Sequence, residues 1–177
     1  MTEAKNDDKK LFLLDAFALI YRSYFAFSRN PIVNSKGVNT SAIFGFTNTL
    51  LDLIGKENPS HIAVVFDSME QVTDRAVEHE FYKANREKMP EDIADSIPVI
   101  KKMLQAFQIP TLELAGYEAD DLIGTLAKKA EKVGYTVYMV TPDKDFGQLV
   151  SENIFMYKPS YQSKPREIIG IEEVKNK

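Results

Sequence analysis

The chain contains no cysteine, so it can form no disulfide, thiolate metal site or cysteine nucleophile. That absence suits a reducing, cytoplasmic setting. No apolar run approaches the ~20 residues needed to span a bilayer, so no membrane association is expected. The opening "MTEAKNDDKK" lacks the apolar stretch of a secretory signal and reads as a disordered arm over residues 1–9. There is no excess of positive charge either. The net charge of −4 does not advertise a nucleic-acid binder, although acids gathered at one site would mask a basic surface elsewhere. Internal repeats and low-complexity tracts are lacking. What remains is 177 residues with 44% apolar content, enough for one soluble domain with a sizeable core.

Pattern along the chain predicts alternating strands and helices. "KKLFLLD" reads as a buried strand ending at Asp15, followed by an aromatic-rich helix, "AFALIYRSYFAF". Pro31, Asn34 and Gly37 mark a loop. Ile43, Phe46, Leu50, Leu51 and Ile54 recur at helical spacing over residues 40–57. "HIAVVFD" is a second strand, ending at Asp67, and the polar residues 68–90 read as a mobile segment with one helical stretch. Pro90 opens the next helix, and Pro98 predicts a bend within it. "IPTLELAG" reads as a short strand. A helix over about 118–133 stops at Gly134. "YTVYMVTPD" is a strand ending near Asp143, with a short helix from about 144. "NIFMYKP" and "REIIG" are candidate later strands, and "IEEVKNK" the first turns of a helix. Such alternation indicates an α/β domain with a mostly parallel central sheet.

In open parallel sheets the ligand site lies beyond the carboxyl ends of the strands. Asp15, Asp67 and Asp143 are expected there, with Asp145 two residues on and Glu118, Asp120 and Asp121 where "YEADD" opens its helix. Taken alone, "YEADD" reads first as a capped helix start, since acids in a first turn suit the macrodipole. Asp143 and Asp145 alone are balanced between the two readings. Capping needs only one acid per helix, however, and does not explain acids ending strand after strand. The coincidence favours a metal site. Ala119, Leu122, Ile123, Leu126, Ala127, Ala130 and Val133 form the apolar stripe of that helix, which puts Glu118 and Asp121 on the opposite side and Asp120 beside the stripe. Carboxylates without Cys or His favour Mg²⁺ or Mn²⁺. Seven acids exceed the needs of one ion, and two ions suit in-line cleavage of a phosphodiester. His61 and His79 fall outside the set.

A basic counterpart lies in "FYKANREK", where Tyr82, Lys83 and Arg86 share one side of a helix. Two cations there could hold a phosphate while the ring stacks on a base, or the face could simply be solvated. Arg22, a lone cation among aromatics, binds phosphate or pairs with an acid. Lys128, Lys129 and Lys132 suit the C-terminal dipole of their helix and are assigned no site.

In order, "LFLLDAFALIYRSYFAF", "GVNTSAIFGFTNTLLDLI", "PSHIAVVFD", "YKANREKMPEDI", "AGYEADDLIGTLA" and "TPDKDFGQLV" resemble the N-terminal 5′→3′ exonuclease domains of bacterial DNA polymerase I, within the PIN-like flap endonucleases. The resemblance runs from about residue 10 to the end. It implies a three-layer, resolvase-like α/β fold and a structure-specific nuclease acting on DNA with 5′ flaps, nicks or RNA primers in replication and repair, as a monomer. It also implies two divalent ions held by Asp15, Asp67, Glu118, Asp120, Asp121, Asp143 and Asp145. Lys83 and Arg86 would act in catalysis, and Arg22, Tyr82, Lys83 and Arg86 in DNA binding. Two positions depart from the family pattern: Ala16 stands where glycine is common, and no aromatic precedes Arg75. Family members continue into a Gly-Asp-x-x-Asp stretch and a helix–hairpin–helix-type module. Reduced activity is therefore expected of this chain alone.

Two other readings compete. A receiver-like domain would use a strand-end Asp as phosphoryl acceptor, but it usually carries an acidic pair after its first strand, whereas this chain has only Asp15. A non-catalytic DNA-binding module is the other.

Overall fold

The computed structural model describes residues 9–68, 89–160 and 164–176. Apolar runs of four to six residues become strands, and longer 3.6-periodic segments become helices. β1 (Lys10–Asp15) leads directly into α1 (Ala16–Ala26), and α2 (Ser41–Glu57) then leads to β2 (His61–Val65). α3 (Glu91–Ala106), β3 (Thr111–Leu112), α4 (Ala119–Lys132) and β4 (Thr136–Val140) follow. A 3-10 helix (Lys144–Leu149) then precedes β5 (Ile154–Lys158), β6 (Glu167–Ile169) and α5 (Ile171–Lys175).

The six strands form one sheet in the order β3-β2-β1-β4-β5-β6. Every pairing is parallel except β5 with β6. β1 is central, with Leu13 opposite Ala63 on one side and Met139 on the other. Alternation along β1 divides the core between two faces. Phe12 and Leu14 pack with Leu19 and Ile20 of α1, Phe46 and Leu50 of α2, and Ile97 and Ile100 of α3. Leu13 packs on the other face with Ala119, Ile123 and Ala127 of α4 and with Phe146 of the 3-10 helix. The expected three-layer α/β architecture is what the chain adopts. α1 and α2 lie so close that a Cβ on Gly45 would stand 2.7 Å from the Cβ of Ser23.

Some expected boundaries move. β2 stops at Val65 and β4 at Val140, so Asp67 and Asp143 sit in the loops beyond their strands rather than at the strand ends. "IPTLELAG" supplies only Thr111 and Leu112 to the sheet. α3 runs unbroken through Pro98, which lies on its exposed side, where water can satisfy the carbonyl released by the missing N–H. Val133, assigned to the apolar stripe, is 61% exposed, because α4 ends one residue earlier. Lys9, placed in the arm, is held by its ammonium on the Val133 carbonyl, 3.1 Å away, and over the Tyr135 ring. The expected disorder of the arm otherwise concerns residues 1–8, outside the described residues.

Candidate metal and nucleic-acid site

The order of the sheet reverses between β1 and β4, and ligands of open α/β sheets bind in the crevice beyond the carboxyl ends at such a point. Asp15 ends β1 there. Its Oδ1 accepts from the Ala18 N–H at 3.1 Å, capping α1, and its Oδ2 accepts from the Thr141 hydroxyl at 3.1 Å. Thr141 Oγ1 in turn accepts from the Asp143 N–H at 3.2 Å, tying the end of β1 to the loop after β4. Asp15 is 9% exposed, and burial pushes its pKa up to about 6. The Ala18 and Thr141 hydrogen bonds oppose that rise, and the negative charges of Asp67 and Asp143 add to it. Asp67 and Asp143 therefore lie within electrostatic reach of Asp15.

Asp67 reaches across to α4, where its Oδ1 accepts from the Ala119 N–H at 2.7 Å. The chain around it is clipped down by Phe66 N–H on the Leu112 carbonyl and Ser68 N–H on that of Tyr117. Gly116 turns the chain into α4 with φ of 83°, a conformation that glycine adopts without strain. Asp121 Oδ2 accepts from the Glu118 N–H, one half of a capping box, and Asp120 Oδ1 accepts from the Asp121 N–H. Glu118 was expected on the side of α4 away from the apolar stripe. It is instead only 6% exposed, because as the residue preceding the helix it turns inward at the helix entry. Asp143 caps the 3-10 helix through the Asp145 N–H at 3.0 Å.

Glu118, Asp120, Asp121, Asp143 and Asp145 line one cleft of about 820 Å³ between α4 and the 3-10 helix. Gly124 keeps its floor narrow: a Cβ there would stand 3.2 Å from Leu149 Cδ1. All seven predicted acids thus gather at one edge, five in the cleft, Asp15 at the end of β1 and Asp67 in the loop beyond β2. Backbone capping is seen at five of the seven, since Asp15, Asp67, Asp120, Asp121 and Asp143 all accept backbone N–H groups. The two roles are compatible, because a carboxylate has about four lone-pair sites and a cap uses one. As they stand, however, no three His, Cys, Asp or Glu side chains among the described residues converge closely enough to hold a metal ion. The donor chemistry suits a hard cation, but the carboxylates would have to draw closer together to bind one.

Arg22 points elsewhere in part. Its Nη2 donates to the carbonyls of Pro159 at 2.8 Å and Ser160 at 3.3 Å, holding the turn after β5. His61 lies at the opposite, amino-terminal edge, beside Ser60 and edge-on to Tyr135, outside the acidic set as expected. Tyr82, Lys83, Arg86, Arg75 and His79 lie outside the described residues. The sequence reading missed Thr141, which is fully buried between Asp15 and the Asp143 backbone. Its position directly after an apolar strand and before "PD" was the available signal.

Residues 10–177 match the family described as 5′-3′ exonuclease, N-terminal resolvase-like domain. The chain belongs to this exonuclease family. A 5′-3′ exonuclease of Aquifex aeolicus is 46% identical over 151 residues, covering 85% of this chain and 51% of that protein. DNA polymerase I of Borreliella burgdorferi is 41% identical over 150 residues, covering 85% of this chain and 16% of that protein. The chain thus spans about half of the first relative's length and about a sixth of the second's. Among solved structures, the bacteriophage T5 D15 protein co-crystallised with metal ions has a TM-score of 0.72 at 16% identity, covering 95% of this chain and 60% of that one. The T5 D15 flap endonuclease in complex with DNA and metal ions has a TM-score of 0.60 at 15% identity, with the same coverage. At those identities the likeness concerns the fold. The exonuclease-domain topology also disposes of the receiver reading, whose doubly wound sheet has the order 2-1-3-4-5. Among the described residues no helix is long and apolar enough to cross a membrane.

Proposed function

We propose that the chain is the nuclease portion of a structure-specific 5′ nuclease, hydrolysing phosphodiesters at 5′ ends and flaps of DNA in the cytoplasm. Primer removal and nick translation in replication and repair are the corresponding tasks, in a parent protein of the DNA polymerase I type. The observation that carries this reading is the gathering of seven carboxylates, from four separate segments, at the switch point of a sheet whose family is a nuclease family. Asp15, Asp67, Glu118, Asp120, Asp121, Asp143 and Asp145 would hold Mg²⁺ or Mn²⁺, two ions in the full-length domain. Bound there, such ions would supply positive charge at the scissile phosphate and would make an attacking water more acidic. The protein's own contribution is placement. Thr141 fixes Asp15 against the loop after β4, and Asp67 locks the α4 entry to the end of β2, so the acids cannot drift apart. Tyr82, Lys83 and Arg86 are proposed to receive the strand, with Lys83 and Arg86 countering charge on the reacting phosphate. Arg22 is proposed to contact a phosphate at the same carboxyl edge while bracing the turn after β5. The working unit is proposed to be a monomer.

A second reading, DNA binding without cleavage by this chain alone, is favoured by the lack of convergence of the acids among the described residues. One experiment separates the two. A 5′-flap duplex is incubated with Mg²⁺ or Mn²⁺ and either this chain or one extended by ~100 residues, about one more domain. Cleavage by the extended protein, weaker cleavage by this chain, and loss of both in Asp121→Ala are expected. If the extended protein binds but never cuts, the nuclease reading fails.

A further inference from the structure

Lys129 and Lys132 stand in the last turn of α4, as the helix dipole favours, but all three lysines of α4 also line the acidic cleft. Thr125, Lys128, Lys129 and Lys132 line it together with Gln148 on the facing 3-10 helix. Thr125, Lys128 and Lys132 fall at i, i+3 and i+7, on one side of the helix. All three lysines are exposed. Lys128 stands more than one turn before the last residue of α4, beyond the reach of a terminal-turn dipole effect. Lys128 pairs at 3.9 Å with Glu131, which does not line the cleft and whose other carboxylate oxygen accepts the Ser151 hydroxyl. The cleft is therefore polarised: carboxylates at its mouth, ammonium groups along its length.

The spacing suits an extended polyanion. At 1.5 Å per residue, Lys128 lies roughly 10 Å along the axis from Asp121, and Lys132 about 6 Å further. An extended single strand places successive phosphates at a comparable interval. We infer that the Lys128–Lys129–Lys132 side of α4 is a phosphate track for two or three nucleotides of a single DNA strand, continuous with the acidic mouth where the scissile phosphodiester would sit. This rests on the nuclease reading for the meaning of the mouth. The track itself is a binding surface and can be measured without any cleavage. Charge complementarity commits it to a phosphodiester strand, and Thr125 and Gln148 add neutral donors that suit phosphate oxygens.

The test measures binding of a fluorescent single-stranded oligonucleotide to the whole chain in EDTA, across a salt series, for wild type, Lys128→Ala/Lys132→Ala and Lys56→Ala. Lys56 lies at the end of α2, across the sheet, and serves as the control. Each phosphate contact contributes about 0.7 to the log–log salt slope for single strands, so the double variant is expected to lower it by ~1.4. Its affinity near 0.1 M salt is expected to fall about tenfold, with Lys56→Ala unchanged and folding intact by circular dichroism. Equal slopes for wild type and the double variant would overturn the track. So would displacement of the strand by poly-glutamate as effective as by unlabelled DNA, which would mark a site for any polyanion. Cleavage lost in Asp121→Ala with an unaltered salt slope in the lysine variant would retain the nuclease and discard the track.

Discussion

Replacing Asp15 by Asn tests the electrostatics of the site directly. Asp15 is nearly buried, and its pKa rises from 3.8 to about 6. The rise of roughly two units, at about 1.4 kcal/mol each, corresponds to about 3 kcal/mol by which ionised Asp15 disfavours the folded state. The sign follows from linkage: between about pH 4 and 6 the folded chain binds more protons than the unfolded one, so stability falls as pH rises through that window and is level above it. Asn keeps a carbonyl oxygen for the Ala18 N–H and carries no charge to desolvate. In EDTA at pH 7, Asp15→Asn is therefore expected to be more stable than wild type by up to about 3 kcal/mol, or ~6–12 °C in Tm for a chain of this size. The advantage vanishes near pH 4. Saturating Mg²⁺ or Mn²⁺ narrows the difference, since an ion at 100 times its Kd adds about 2.7 kcal/mol to wild type and less to the variant. Urea melts at pH 4, 5, 6 and 7, with and without metal, supply the readout. A variant less stable than wild type in EDTA at pH 7, or a stability difference independent of pH, would refute the reasoning.

Three further perturbations follow from named contacts. Thr141→Val removes the hydroxyl between Asp15 and the Asp143 N–H, so the Asp15 pKa should rise further in a carboxyl NMR titration and stability should drop by about 1–3 kcal/mol. Gly45→Ala forces a methyl to within 2.7 Å of Ser23 Cβ, and the resulting shift of α1 against α2 should cost about 1–3 kcal/mol in a denaturant melt. Gly116→Ala has open space around it but demands φ of 83°, so a smaller loss of about 1 kcal/mol is expected, with the α4 entry and metal affinity disturbed more than the core.

Much of the fold was legible because its carriers are local. The strand "KLFLLD" is apolar on both faces, as a central parallel strand must be, and the 3.6-residue periods of α2 and α4 follow directly from the side chains. The acids were legible as a set, since residues that follow parallel strands share one edge whatever the strand order. Boundaries were less so: β2 and β4 end two to three residues before Asp67 and Asp143, where pairing with a neighbour stops, and that depends on the neighbour. Val133 illustrates the same limit at a helix end.

The sequence by itself determined which residues could form a hard-cation site, because carboxylate spacing and the lack of cysteine are properties of the chain alone. Only tertiary structure decided the strand order that separates this fold from a receiver, since long crossovers leave no local trace. It alone brought Thr141 under Asp15 across 126 positions of chain and turned Glu118 inward. It also set the lysines of α4 in the acidic cleft rather than merely at a helix end. Each is a contact between segments far apart in sequence, and such contacts are fixed by the packing of layers, not by local residue preference.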